Sequence, residues 1–207
     1  MDFLENGGNV NDVRIVLAHS AGAPMDSLFM NFYAGFLKTR GFRVYRFEFP
    51  YMQRRREEGG RRPPDRQPVL LDYWRTVVAD LGDPESLIIG GKSMGGRMAS
   101  MVADELCVRG LVCLGYPFYA AKKEEKPRTQ HLVNLKTPTL ILQGSRDVMG
   151  SREIVSKYQL SPNILVRWLE DGDHSFKPRI KSGRTEEENW SEGAESIVEF
   201  SYSLREG

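Results

Sequence analysis

Residues 86–100 read SLIIGGKSMGGRMAS. Gly91-Lys92-Ser93 is how a phosphate-binding loop ends, while residues 91–95 also form the Gly-x-Ser-x-Gly of a nucleophile elbow. A phosphate loop needs its first glycine at position 86, which is Ser86, and residues 87–90 read as strand where a flexible cradle is required. Spacing and local structure both reject nucleotide binding. The elbow passes the same tests. A strand runs into Ser93, and a helix with small residues at Gly95, Gly96, Ala99 and Ser100 follows. Such a turn strains the nucleophile and lifts its hydroxyl to a helix N-terminus, where developing negative charge is favoured. Gly91 and Gly95, two before and two after, give the neighbouring strand and helix room to approach. A glycine-rich junction with no chemistry would look similar, so the partners must decide.

A serine nucleophile needs a base, and the chain has three histidines. His174 lies in WLEDGDHSF, a turn after an apolar strand, where a triad in the order serine, acid, histidine places its base. A plain surface-loop histidine is the alternative there. His131 precedes a strand and reads as structural, and His19 reads as a scaffold for the loop that follows it. The acid belongs between serine and histidine, after a strand, and LILQGSRD delivers Asp147. Its carboxylate would fix the tautomer of His174 and stabilise the imidazolium. Asp171 and Asp173 are closer in sequence, but they are expected to shape the turn through Asx-type bonds. Two backbone N–H donors complete the chemistry as an oxyanion hole. One is Met94, after the nucleophile; the other is assigned to Ala21 in AHSAGAP, with Ser20 as the fallback.

The elements that must position these groups are legible as alternating patterns. Residues 13–20, 42–49, 86–93, 109–117, 137–145 and 163–170 read as strands, several of them nearly continuous apolar runs. Between them, MDSLFMNFYAGFLKTRG puts Leu28, Phe29, Phe32, Phe36 and Leu37 on one helical face and stops at Gly41. Residues 68–82 open with Pro and close with Gly. Further helices are expected from MGGRMASMVADEL, SREIVSKYQL and the segment after Thr185, which forms a capping box with Glu188. The pattern predicts one α/β domain over residues 1–207: a mostly parallel sheet of about six strands, helices on both faces, and no large cap. Two segments stand apart and leave strand ends where ligands bind in open α/β sheets: 51–68, irregular and arginine-rich, and 119–130, a polar connection.

Composition narrows the partners. The formal net charge is +1, which argues against a global field for nucleic acid. No run of about 18 apolar residues occurs, and the N-terminus lacks the basic and apolar regions of a signal peptide. Cys107 and Cys113 lie in apolar stretches and read as reduced structural thiols, so a cytoplasmic setting is expected. No metal-ligand spacing appears, and no cofactor is called for.

With Ser93, Asp147, His174 and AHSAGAP in this order, the chain resembles the α/β-hydrolases. More narrowly, it resembles the small cap-less, dienelactone-hydrolase-like group related to testis-expressed and chromatin-complex hydrolase-like domains. The stretches that carry this are AHSAGAPM, FPYM with RRPPDR, GGKSMGGRMAS and LQGSRD, and the likeness runs from about Arg14 to about Phe200. It implies a single hydrolase domain with serine-hydrolase chemistry. Ser20 stands where the group typically has glycine. If that position needs a positive φ, serine is strained by about 1 kcal/mol or more; otherwise its hydroxyl adds a donor near the oxyanion.

The reaction expected is hydrolysis of a small or extended, possibly anionic, carboxylic ester through an acyl-enzyme. Arg54, Arg55, Arg61 or Arg62 could fork a carboxylate or phosphate. Pro63 and Pro64 stiffen the second half of that segment, which favours Arg61 and Arg62. The plainer reading is a solvated loop balanced by Glu57, Glu58 and Asp65. Two other readings stay open: an idle hydrolase fold used as an interaction module, and thioester or peptide cleavage or acyl transfer on the same triad.

Overall fold

The computed structural model describes residues 2–7, 13–120 and 126–204. In chain order the elements are β1 (Leu4–Asn6), β2 (Arg14–Ala18), α1 (Leu28–Thr39), β3 (Arg43–Phe47), α2 (Pro50–Glu58), α3 (Gln67–Leu81), β4 (Leu87–Lys92) and α4 (Met94–Ser100). They continue with β5 (Gly110–Leu114), β6 (Thr139–Gly144), α5 (Arg152–Val155), β7 (Ile164–Leu169) and α6 (Glu186–Ser203). The strands form one seven-stranded sheet in the order β1-β3-β2-β4-β5-β6-β7. All neighbours are parallel except β1, which runs antiparallel to β3 at the edge. The expectation of about six strands therefore falls one short. The extra strand, Leu-Glu-Asn, is three residues long and has no apolar run to announce it.

Because side chains alternate along a strand, the sheet feeds two apolar layers. Val16, Phe47, Ile89 and Ile141 face one layer, where α3 adds Trp74 and Val77. Ile15, Leu17, Ile88, Val112 and Leu142 face the other, where α1 adds Tyr33 and α6 adds Ile197. The chain winds outward from β2 to β3, then crosses back to β4 on the other side of β2. The loops after β2 and β4 thus diverge from adjacent strands, with Ala18 opposite Gly91. Crevices at such a switch point are where open α/β sheets take ligands.

Several local expectations change. Residues 50–58 are helical, not irregular: Pro50 sits in the first turn, where its missing N–H costs nothing, and good helix formers follow. Helix α1 buries Met30, Tyr33, Ala34 and Leu37, while Leu28 at its start is 83 % exposed. Helix α4 is only seven residues before a run of turns, and α5 only four. Cys113 is buried, but Cys107 is exposed. The connection 119–130 lies partly outside the described residues, at 121–125. The capping box of Thr185 and Glu188 is formed as expected.

Trp74 is fully buried and meets the Phe47 ring edge-on at 4.8 Å between centroids. Trp74→Ala should lower unfolding free energy by about 3–5 kcal/mol in urea titration. A loss below about 1 kcal/mol would show that this layer closes over the gap left by the indole.

Candidate active site

Ser93 sits between β4 and α4 with φ 52° and ψ −111°, outside the regions open to most L-residues. Strain of this kind costs on the order of 1–3 kcal/mol and persists only where the surroundings fix it. Here the Ser93 N–H donates to Leu114 O on the next strand at 2.9 Å, and its carbonyl accepts from the Arg97 N–H at 3.0 Å. Helix α4 must then pass close to β2. A Cβ at Gly95 would stand 2.6 Å from both the Ala18 and His19 carbonyl oxygens, so no larger residue fits.

His174 joins the two other groups of the expected constellation. Its Nε2 is 2.8 Å from Ser93 Oγ and its Nδ1 is 2.7 Å from Asp147 Oδ2. Asp147 is fully buried after β6, and its carboxylate also accepts from Gln143 Nε2 at 2.8 Å and the Met149 N–H at 2.8 Å. Those bonds aim one oxygen at the imidazole. Gln143, inside strand β6, is a supporting residue that the sequence reading missed; a buried glutamine in an apolar strand was the available signal. Asp173 caps its own turn by accepting from the Ser175 and Lys177 N–H groups, and Asp171 pairs with Arg179 and Arg146, as expected of turn-shaping residues.

The first-strand loop is fixed from behind. His19 Nδ1 bonds the Ser20 carbonyl at 2.6 Å and Nε2 accepts from the Phe49 N–H at 3.0 Å, so both ring nitrogens are used. Burial holds its pKa below the ordinary value. Tyr51, from the FPYM stretch, donates its hydroxyl toward the Ala21 and Ser20 carbonyls at 3.0 and 3.3 Å. Ala21 and Met94 both line the cavity that contains Ser93, about 360 Å³ in volume. Their backbone N–H groups have no hydrogen-bond partner among the described residues.

Ser20 behaves differently from both expectations. Its φ is not positive, so the strain argument fails. Its hydroxyl accepts from the Ala23 N–H at 3.1 Å and closes the loop, and Ser20 is not on the cavity wall. Arg61 and Arg62 lie away from this cavity as well. Arg61 is exposed, and Arg62 pairs with Glu58. Their neighbours are spoken for as well: Arg54 pairs with Asp65, Arg56 with Glu48 and Asp26, and Arg55 reaches the Gly22 carbonyl. The segment reaches the cavity through Pro64, Asp65 and Gln67 instead. Two arginines from elsewhere, Arg97 and Arg128, stand on the wall. Arg97 follows Ser93 by four residues, one helical turn, which was a readable signal.

The lysine that mimicked a phosphate loop points inward. Lys92 is 6 % exposed, and its Nζ donates to the His174 carbonyl and lies 5.4 and 5.7 Å from the Phe29 and Phe176 ring centroids. Gly115, at φ 67°, leaves space for this contact: a Cβ there would be 2.9 Å from Nζ. Burial lowers the Lys92 pKa from 10.5 to about 8, opposed by the charges of Asp147 and Asp173. Between about pH 8 and 10.5 the unfolded chain holds this proton and the folded chain does not, so folding becomes more favourable as pH rises. Relative to Lys92→Met, wild type should gain up to roughly 3 kcal/mol of stability across that window. Urea midpoints measured at pH 7.5 and 10 check this, and parallel pH dependence in the two chains would refute it.

Among the described residues no helix is long and apolar enough to cross a membrane, and no group of three or more His, Cys, Asp or Glu is arranged to hold a metal ion. The fold has many solved counterparts. A serine hydrolase homologue from Coxiella burnetii superposes with a TM-score of 0.71 at 17 % identity, over 95 % of this chain and 88 % of that one. Est1E of Butyrivibrio proteoclasticus with ferulic acid bound gives 0.69 at 12 % identity, over 96 % and 94 %. A serine hydrolase without lid from Xanthomonas campestris gives 0.63 at 18 % identity, over 96 % and 88 %. These likenesses show the α/β-hydrolase fold. A family model described as an alpha/beta hydrolase domain matches residues 11–202, and the chain therefore belongs to that hydrolase family.

Proposed function

We propose that this chain is a serine hydrolase that cleaves carboxylic esters through an acyl-enzyme. One observation carries the reading: a single imidazole bonded on one side to a strained serine hydroxyl and on the other to a buried carboxylate. With Nδ1–H donated to Asp147, Nε2 presents its lone pair to Ser93 Oγ. His174 takes the serine proton as Oγ attacks the acyl carbonyl, and the Met94 and Ala21 amides receive the oxyanion. The protonated imidazole then passes its proton to the leaving alcohol. Water enters, is deprotonated by the same nitrogen, and releases the acid.

The cleft favours small or extended esters, because its volume is modest and no element among the described residues folds over it as a cap. A soluble cytoplasmic protein acting as one hydrolase domain on small molecules, without nucleic acid or membrane partners, fits the charge and composition. Within the family, the elbow and loop stretches support placement with the cap-less group that includes the testis-expressed and chromatin-complex relatives.

Incubation with a fluorophosphonate probe tests the chemistry. Wild type should label at Ser93, while Ser93→Ala and His174→Ala should not. Asp147→Asn should retain the fold and lose roughly 10³-fold or more in kcat, since the imidazole tautomer is no longer enforced. Folded wild-type protein that fails to label would move the assignment to an interaction module built on an idle hydrolase fold.

A further inference from the structure

The wall of the Ser93 cavity is mixed. Leu70, Met98 and Pro117 make it apolar, while Arg97 from α4 and Arg128 from the connection after β5 bring two cations to it. The same arginines line the neighbouring cavity next to His131, so they form the ridge between the two. Neither has a carboxylate partner among the described residues, unlike the arginines of α2. Arg97 Nη2 reaches only Gln67 Oε1, at 3.2 Å, and Arg97 Nε is buried with no partner among the described residues. The Tyr116 hydroxyl, a neutral group that also donates to the Arg128 carbonyl, bonds the same guanidinium, and His131 lies near it. Among the described residues the cavity wall carries one carboxylate, Asp65, which is occupied by the Tyr51 N–H and Arg54.

Desolvating a guanidinium beside a second one, with a donor left over, is costly unless an anion arrives. Burial, and then the charge of Arg128, do lower the pKa of Arg97. The placement suits recognition of the same molecule that Ser93 attacks. Arg97 lies in the first turn of α4, its N–H bonds the Ser93 carbonyl, and both residues line the same cavity. Helical side chains lean back toward the N-terminus, which aims Arg97 toward Ser93.

We propose that Arg97 and Arg128 form an anion subsite, and that the substrate is an ester whose acyl part carries a carboxylate a few bonds from the scissile carbonyl. This rests on the serine-hydrolase reading. A guanidinium fork takes a carboxylate in two parallel hydrogen bonds, which gives orientation as well as attraction. The assignment replaces Arg61 and Arg62 as the basis for an anionic substrate.

The test compares kcat/KM for p-nitrophenyl hemiglutarate with that for the neutral p-nitrophenyl butyrate. Wild type should prefer the anionic ester at least tenfold. Arg97→Met and Arg128→Met should each cut that ratio tenfold or more, and Arg97→Lys should restore only part of it. Arg75→Met should leave the ratio unmoved, since that exposed arginine pairs with Asp72 and Glu105 away from the cleft. Circular dichroism and fluorophosphonate labelling of each variant separate lost recognition from lost folding. A ratio near one in wild type that labels at Ser93, or a ratio kept by folded arginine variants, overturns the subsite alone. Folded wild type that does not label overturns the hydrolase reading and the subsite with it.

Discussion

The close approach of α4 to β2 is the constraint on which the site depends. Ser93 takes its strained φ only because the strand before it and the helix after it are both pinned against neighbouring backbone. The missing Cβ at Gly95 lets the helix come to the Ala18 and His19 carbonyls, and this same contact sets where the AHSAGAP loop begins. The proposed nucleophile and the proposed oxyanion loop are therefore not two features that meet by chance. They are two ends of one packed junction between adjacent parallel strands, and the register of Ala18 with Gly91 fixes their relative height.

Around that junction, polar groups are used in a graded way. His19 and Tyr51 spend their hydrogen bonds on carbonyls of the first-strand loop, turning those oxygens away from the cleft. Each peptide so held presents its N–H on the opposite side, which is what an oxyanion site requires. Gln143 and the Met149 N–H do the equivalent for Asp147. Lys92 restrains the backbone of the histidine itself, from beneath, at a visible cost in desolvation. The price is tolerable because the lysine is bonded and flanked by two aromatic faces, whereas an unbonded buried ammonium would be worse by several kcal/mol.

The sequence made the order of strands and helices, the elbow and the three partners legible because each depends on local pattern: apolar period, a glycine spacing, a polar residue just past a strand. What it hid depends on distance through space. The edge strand β1 exists only because β3 offers it an unpaired edge. The arginines at 54, 56 and 62 look like a free basic cluster until Asp65, Glu48 and Glu58 fold against them. Ser20 stands where the resembling group has glycine and would be strained if it needed a positive φ, yet its φ is not positive and its hydroxyl closes the turn. Arg128 could not be singled out, since nothing in a polar connection says which of its side chains returns to the cleft.

On the proposed subsite, the difference between arginines with and without a carboxylate partner among the described residues would let an almost neutral chain select by charge. Net charge governs long-range steering, which screens out over about 10 Å in ordinary salt. Recognition inside a cleft is instead decided by which cations lack a partner and what the surroundings do to their hydration. Arginines in α2 are matched and hydrated, so a new anion gains little from them. Arg97 and Arg128 share a partly apolar wall, where an added carboxylate would meet less competition from water. A nearly neutral surface with two cations beside the proposed nucleophile would thus discriminate at the site of chemistry, not at the approach to it.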